Sequence, residues 1–127
     1  MSEDKKKLLV VEDDMILQKA LQEFLTAEGF EIFTASDGEA GITAAKEKMP
    51  DLVLLDIILP KKDGYEVLAA LKKDEKTKQI PIILLTNLGS LNDVEKAIEL
   101  GATTYLVKSD YKLQEVAKKI KETLKMI

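Results

Sequence analysis

Neither cysteine nor histidine occurs anywhere in the 127 residues. Without thiols there is no disulfide framework and no thiolate metal site, and such a chain suits a reducing cytoplasm. Without imidazole, the usual general base and the commonest transition-metal ligand are gone. Any chemistry must therefore run on carboxylates, hydroxyls, lysines or a hard cation held by oxygens. Long hydrophobic runs are missing as well: Leu52 to Leu55 and Ile80 to Leu85 fall far short of the ~20 residues that span a bilayer. The opening "MSEDKKKLLVVEDD" drives its short apolar segment straight into three acids, unlike a signal peptide. These absences predict a soluble, cytoplasmic protein with no membrane contact. A basic stripe is lacking too. The 19 basic and 23 acidic side chains are spread along the chain for a net charge of −4, so no track for a phosphate backbone exists and direct DNA binding is not expected.

A hydrophobic content of 46% is enough, at this length, to bury the core of one domain. Five short β-type runs alternate with helical patterns. Lys7 to Val11 is followed by a helix from about Met15, whose Ile16, Leu17, Ala20, Leu21, Phe24 and Leu25 recur at helical spacing and stop at Gly29. Glu31 to Thr34 leads into "SDGE", where Ser36 and Glu39 have the spacing of a capping box for a helix ending near Met49. Leu52 to Leu55 is apolar on both parities, as in a parallel strand covered on both faces. Gly64 precedes a helix carrying Val67, Leu68 and Leu71. Ile80 to Leu85 is a fourth strand, and the helix after "TNLGSLND" ends at Leu100 and Gly101. Thr104 to Val107 precedes a last helix striped by Leu113, Val116, Ala117, Ile120 and Leu124. Strict alternation implies right-handed crossovers and a three-layer α/β/α sandwich around a five-stranded parallel sheet.

In such sheets the functional crevice lies beyond the carboxyl ends of the strands, so the residues there matter most. The first strand delivers Glu12, Asp13 and Asp14, the third Asp56, the fourth Thr86 and the fifth Lys108. Taken singly each has an ordinary reading as a turn residue, a helix cap or a solvated side chain. Together, Glu12, Asp13 and Asp56 would repel strongly in one crevice unless cations neutralise them. Lys108 supplies one positive charge and a divalent ion two. Few protein oxygens plus waters suit Mg²⁺ better than Ca²⁺.

The stretches "LLVVEDD", "DLVLLDIILPKKDGYEVL", "IPIILLT" and "ATTYLVK" resemble the receiver domain of two-component response regulators, in the right order and over nearly the whole chain. The resemblance implies a flavodoxin-like sheet of order 2-1-3-4-5. With Ile127 following directly on the last helix, the expectation is a single receiver domain over residues 1–127 with no output domain. It implies that Asp56 is the acceptor that takes a phosphoryl group from a phosphohistidine. Mg²⁺ or Mn²⁺ would be held by Asp13, by Glu12 largely through water, by Asp56 and by the backbone carbonyl of Ile58. Lys108 and the hydroxyl of Thr86 would meet the phosphoryl oxygens, and Tyr105 is similar to the family's switch aromatic. Ile58 and Leu88 stand where side chains tune the approach of water, and two aliphatics there predict slow self-dephosphorylation.

The implied partners are a sensor histidine kinase or histidine phosphotransfer protein, and a downstream target on the face of the fourth helix, fifth strand and fifth helix. Lys118, Lys119 and Lys121 are expected to be exposed there. The chain would be a monomer or a weak phosphorylation-dependent dimer, and no enzyme beyond assisting its own phosphorylation and dephosphorylation. One departure is Ser109, where the family has a proline after a cis bond; Ser109 or Asp110 is a candidate cap for the last helix. Rival readings are weaker. A flavodoxin carries a loop rich in hydroxyls and glycine after its first strand, where "EDDM" would repel a phosphate, and a haloacid-dehalogenase-type phosphatase needs an acid where Ile58 stands. The alternative within the fold is a pseudo-receiver, a binding module that is never phosphorylated.

Overall fold

The computed structural model describes residues 5–86, 91–107 and 112–125, with the backbone alone for Thr86 and residues 91–94. Strands and helices alternate as β1 (Lys7–Val11), α1 (Met15–Ala27), β2 (Glu31–Ala35), α2 (Gly38–Lys48), β3 (Leu52–Asp56), α3 (Gly64–Lys73), β4 (Ile82–Thr86), α4 (Leu91–Glu99), β5 (Thr104–Val107) and α5 (Leu113–Thr123). All pairings are parallel and the sheet order is β2-β1-β3-β4-β5. The fold is the expected one.

The parity of the strand residues makes the three layers. Leu9, Val11, Val53, Leu55, Ile82 and Leu84 face the side covered by α2, α3 and α4, against Val67, Leu68 and Leu71. Leu8, Val10, Leu52, Leu54, Ile83 and Leu85 face the other side, against α1 and α5 through Leu21, Leu25 and Ile120. All five residues of β3 are buried. Each fully buried leucine contributes about 1.5–3 kcal/mol relative to exposure, so β3 is firmly fixed at the centre of the sheet.

Two glycines terminate helices where the chain must turn back into the sheet. Gly29 (φ 101°) and Gly101 (φ 112°) occupy left-handed backbone that a Cβ would disfavour. Around the first, the N–H of Gly29 donates to Thr26 O and that of Phe30 to Leu25 O; around the second, Gly101 donates to Ile98 O and Ala102 to Ala97 O. Both satisfy carbonyls that a helix end would otherwise strand.

Several local expectations are corrected. The cap of α2 is Asp37, not Ser36: its carboxylate accepts the N–H of Ala40 at 2.8 Å. Three residues beyond Asp37 is Ala40, so no reciprocal acid exists and the Ser36–Glu39 box does not form. Gly64 lies inside α3 rather than before it, because Asp63 caps the helix and closes a true capping box with Glu66. β4 begins at Ile82, since Pro81 has no N–H for the ladder. The N-cap of α5 is Lys112 rather than Ser109 or Asp110, which lie outside the described residues; the Lys112 N–H is met by Glu115 at 2.8 Å. On α1, Ile16 is 85% exposed and Gln18 takes a place in the buried stripe with Leu21 and Leu25.

Candidate functional site

β1 and β3 are neighbours, with Val11 opposite Leu55. Continuing that register by one residue brings Glu12 alongside Asp56. Carboxylate oxygens of Glu12, Asp13 and Asp56 all lie within 4.8 Å of one another, with Glu12 and Asp56 buried and Asp13 exposed. Two full charges at that separation repel by about 3–4 kcal/mol at an effective dielectric of ~20, so the cluster is built to hold positive charge.

Each acid is positioned by its own local structure. The backbone N–H of Glu12 donates to Ala35 O of β2 at 3.0 Å, which extends the β1–β2 ladder past the strand end. Glu12 Oε2 accepts the N–H of Asp14 at 3.0 Å. The Asp14 carboxylate accepts the N–H groups of Ile16 and Leu17, which makes it the cap of α1 and leaves Asp13 as the exposed member of the cluster. Asp56 closes β3, where the N–H of Ile57 still donates to Leu85 O of β4 at 3.3 Å. Its Oδ1 faces the N–H of Ile58 at 3.4 Å. The nucleophile candidate thus sits on the last rigid residue before a loop, and the Ile58 side chain after it is 70% exposed.

That loop is pinned at both ends. Gly64 N–H donates to Ile57 O at 2.6 Å, and Gly38 N–H at the start of α2 donates to Pro60 O at 3.2 Å. Lys61 Nζ lies 3.9 Å from the Asp37 carboxylate.

Thr86 ends β4 beside the crevice, paired with Val107, the residue before Lys108. The Thr86 side chain, Leu88, Lys108 and the Lys108–Ser109 bond lie outside the described residues. Tyr105 pairs with Leu84 on edge strand β5 and is 41% exposed. Of the α5 lysines, Lys118 is exposed and Lys119 half-buried, while Lys121 points the other way and pairs with Glu28 of α1 at 2.8 Å. The expectation that all three are exposed is corrected accordingly: only Lys118 is, and Lys119 and Lys121 are half-buried.

The donor set fits a hard divalent cation: three carboxylates, two of them buried, with an open exposed side for water. Sequence reasoning missed Gln18. The signal was present, because Gln18 is three and seven residues before Leu21 and Leu25 on the same helical face.

Residues 8–121 match the family model described as "Response regulator receiver domain". A transcriptional regulatory protein of Streptomyces coelicolor, AfsQ1, is 43% identical over 101 residues, 80% of this chain and 44% of its own length. A CheY-like response regulator receiver domain protein from Methanospirillum hungatei superposes with a TM-score of 0.89 at 28% identity, covering 96% of this chain and 95% of the other. The receiver domain of the sensor histidine kinase PA1611 from Pseudomonas aeruginosa, with a magnesium ion in its active-site cleft, gives 0.86 at 27% identity, covering 94% and 98%. The chain spans about half the length of the curated relatives it matches. Since AfsQ1 is named as a transcriptional regulator, the relatives lend no support to the expectation that DNA is not bound.

Proposed function

This chain belongs to the response regulator receiver domain family, and from that premise we propose that Asp56 accepts a phosphoryl group from a phosphohistidine on a sensor histidine kinase or histidine phosphotransfer protein. The observation that carries the reading is the convergence of Glu12, Asp13 and Asp56 within 4.8 Å at the ends of two adjacent strands. An Asp56 oxygen attacks phosphorus, the P–N bond to imidazole breaks, and the released imidazole nitrogen takes up a proton. The product is an acyl phosphate on Asp56. Burial at the end of β3 holds the carboxylate in one place, which lowers the entropic part of the barrier.

Glu12, Asp13, Asp56 and the Ile58 carbonyl are the proposed holders of Mg²⁺ or Mn²⁺. When bound, the ion neutralises charge on the transferring phosphoryl oxygens. Lys108 and the Thr86 hydroxyl are assigned to the same oxygens by resemblance, with Tyr105 as the switch that answers Thr86. The signal then passes to a target protein on the face of α4, β5 and α5, in a monomer or a weak phosphorylation-dependent dimer. The protein assists its own phosphorylation and dephosphorylation and turns over no other substrate. Ile58 and Leu88 offer water no hydrogen bond, so the acyl phosphate decays slowly.

Intact-mass spectrometry after incubation with acetyl phosphate tests the reading. A Mg²⁺-dependent gain of about 80 Da, absent in Asp56→Asn, is expected. No adduct under any condition would overturn it in favour of a binding module of the same fold. A half-life of seconds would overturn the slow decay alone.

A further inference from the structure

We propose that Gln18 is a positioning residue that holds the turn bearing Glu12 and Asp13 at the spacing a divalent cation requires. The proposal rests on the cation reading given above. Gln18 is 6% exposed, on the face of α1 that meets the sheet. Its side-chain amide nitrogen directs its two N–H groups to Glu12 O at 2.9 Å and Ala35 O at 3.2 Å, with Ser36 Oγ sharing the contact at 3.3 Å. Two of these partners are carbonyls that can only accept, which fixes the amide with its nitrogen toward the crevice.

The backbone of the same residue completes the arrangement. Gln18 N–H donates to Asp14 O at 2.8 Å, so one residue grips the turn by both ends, Glu12 through its side chain and Asp14 through its main chain. Glu12 Oε2 closes the turn from within by accepting the N–H of Asp14. Ala35 O receives both the Glu12 N–H and the Gln18 amide, which ties the end of β2 into the same unit. Asp13 stands between the two gripped residues. Being exposed, it depends on this turn for its distance from Asp56.

Carboxylates that repel one another will splay apart if the backbone beneath them yields. Holding that backbone therefore raises cation affinity by removing the relaxed, splayed arrangement of the metal-free protein, as outer partners of metal ligands generally do. Gln18→Met keeps length and volume and removes the donor. A purely structural role would lower stability and leave cation affinity alone.

Calorimetric titration of Mg²⁺ into the metal-free full chain separates these outcomes. Gln18→Met is expected to weaken binding about tenfold. Ile120→Val, which trims the buried contact between α5 and the sheet far from the crevice, is the destabilised control and should bind as wild type does. Equal Mg²⁺ affinity in Gln18→Met and wild type would overturn the proposal while leaving the cation reading intact. No binding by wild type would overturn the cation reading itself and the proposal with it. If Gln18→Met does not fold, the wild-type side-chain amide gives the answer by NMR. Slow proton exchange and a shift on adding Mg²⁺ are expected, and exchange at the rate of a solvated glutamine with no response would overturn the proposal.

Discussion

Replacing Gly38 by alanine adds one methyl group at the point where the loop after β3 leans on α2. A Cβ built there would lie 1.8 Å from the carbonyl oxygen of Lys62, 2.7 Å from its carbonyl carbon and 2.8 Å from its Cβ, against a practical minimum of 3.0 Å. The nearest atoms belong to backbone, so the loop must retreat by about 1.2 Å or the helix start must shift. The hydrogen bond from Gly38 N–H to Pro60 O and the Lys61–Asp37 contact lie in the same place and would be stretched together. Overpacking of this kind costs about 1–3 kcal/mol, offset by at most about 1 kcal/mol for exchanging glycine for a better helix former. A net loss of about 1–2 kcal/mol in urea unfolding is expected. Because the displaced loop also carries Ile58, phosphorylation by acetyl phosphate should slow, by up to about 100-fold if the misplacement reaches the reacting atoms. Unfolding and phosphorylation both at wild-type values would refute the reasoning, since the contact would then have yielded without consequence.

Two further perturbations follow from the same structure. Ile58→Asn changes a side chain that is already exposed, so stability should stay within about 0.5 kcal/mol. The new amide can orient water, and the phosphorylated form should decay about tenfold faster, below the full contribution of a general base; an unchanged decay rate in a mass-spectrometric time course would remove Ile58 from the account. Asp74 is held below the usual carboxylate range, first by the N–H of Lys76 and also by Lys46, whose ammonium lies 3.4 Å away. A depressed folded value means stability that is present at neutral pH and lost as the pH falls through that titration. Asp74→Asn should therefore be slightly less stable than wild type at pH 7, with the gap closing in acid and shrinking in salt; a gap that widens in acid would contradict the assignment.

The elements that the sequence made legible are those whose pattern is local. β1 and β5 fall where their apolar runs stand, and β2 and β3 each extend one residue further, through Ala35 and Asp56, because the neighbouring strand supplies a partner there. The acid cluster was legible because the pairing of β1 with β3 brings Asp56 beside the adjacent pair Glu12 and Asp13. Choices between adjacent polar residues were not. Asp37 rather than Ser36 caps α2 because a carboxylate is the better acceptor, while the Ser36 hydroxyl is engaged by Gln18 and Met15. Spacing puts Gln18 on the face of Leu21 and Leu25, but it does not show what its amide would meet there. Its burial is decided by acceptors at the ends of two strands, one of them seventeen residues away.

The sheet order also fixes where along the chain the acidic cluster is complete. β1 lies between β2 and β3, so the first fifty-six residues contain every strand needed to bring Glu12, Asp13 and Asp56 together. β4 and β5 lie outward from there, and Lys108 follows β5 in the chain. A chain that folds from its first residue onward therefore gathers its negative charges well before its lysine arrives. During that interval the central strands would close against the repulsion of their own carboxylates. A divalent cation held there, as proposed above, would offset that repulsion in a half-sheet that has as yet nothing to signal.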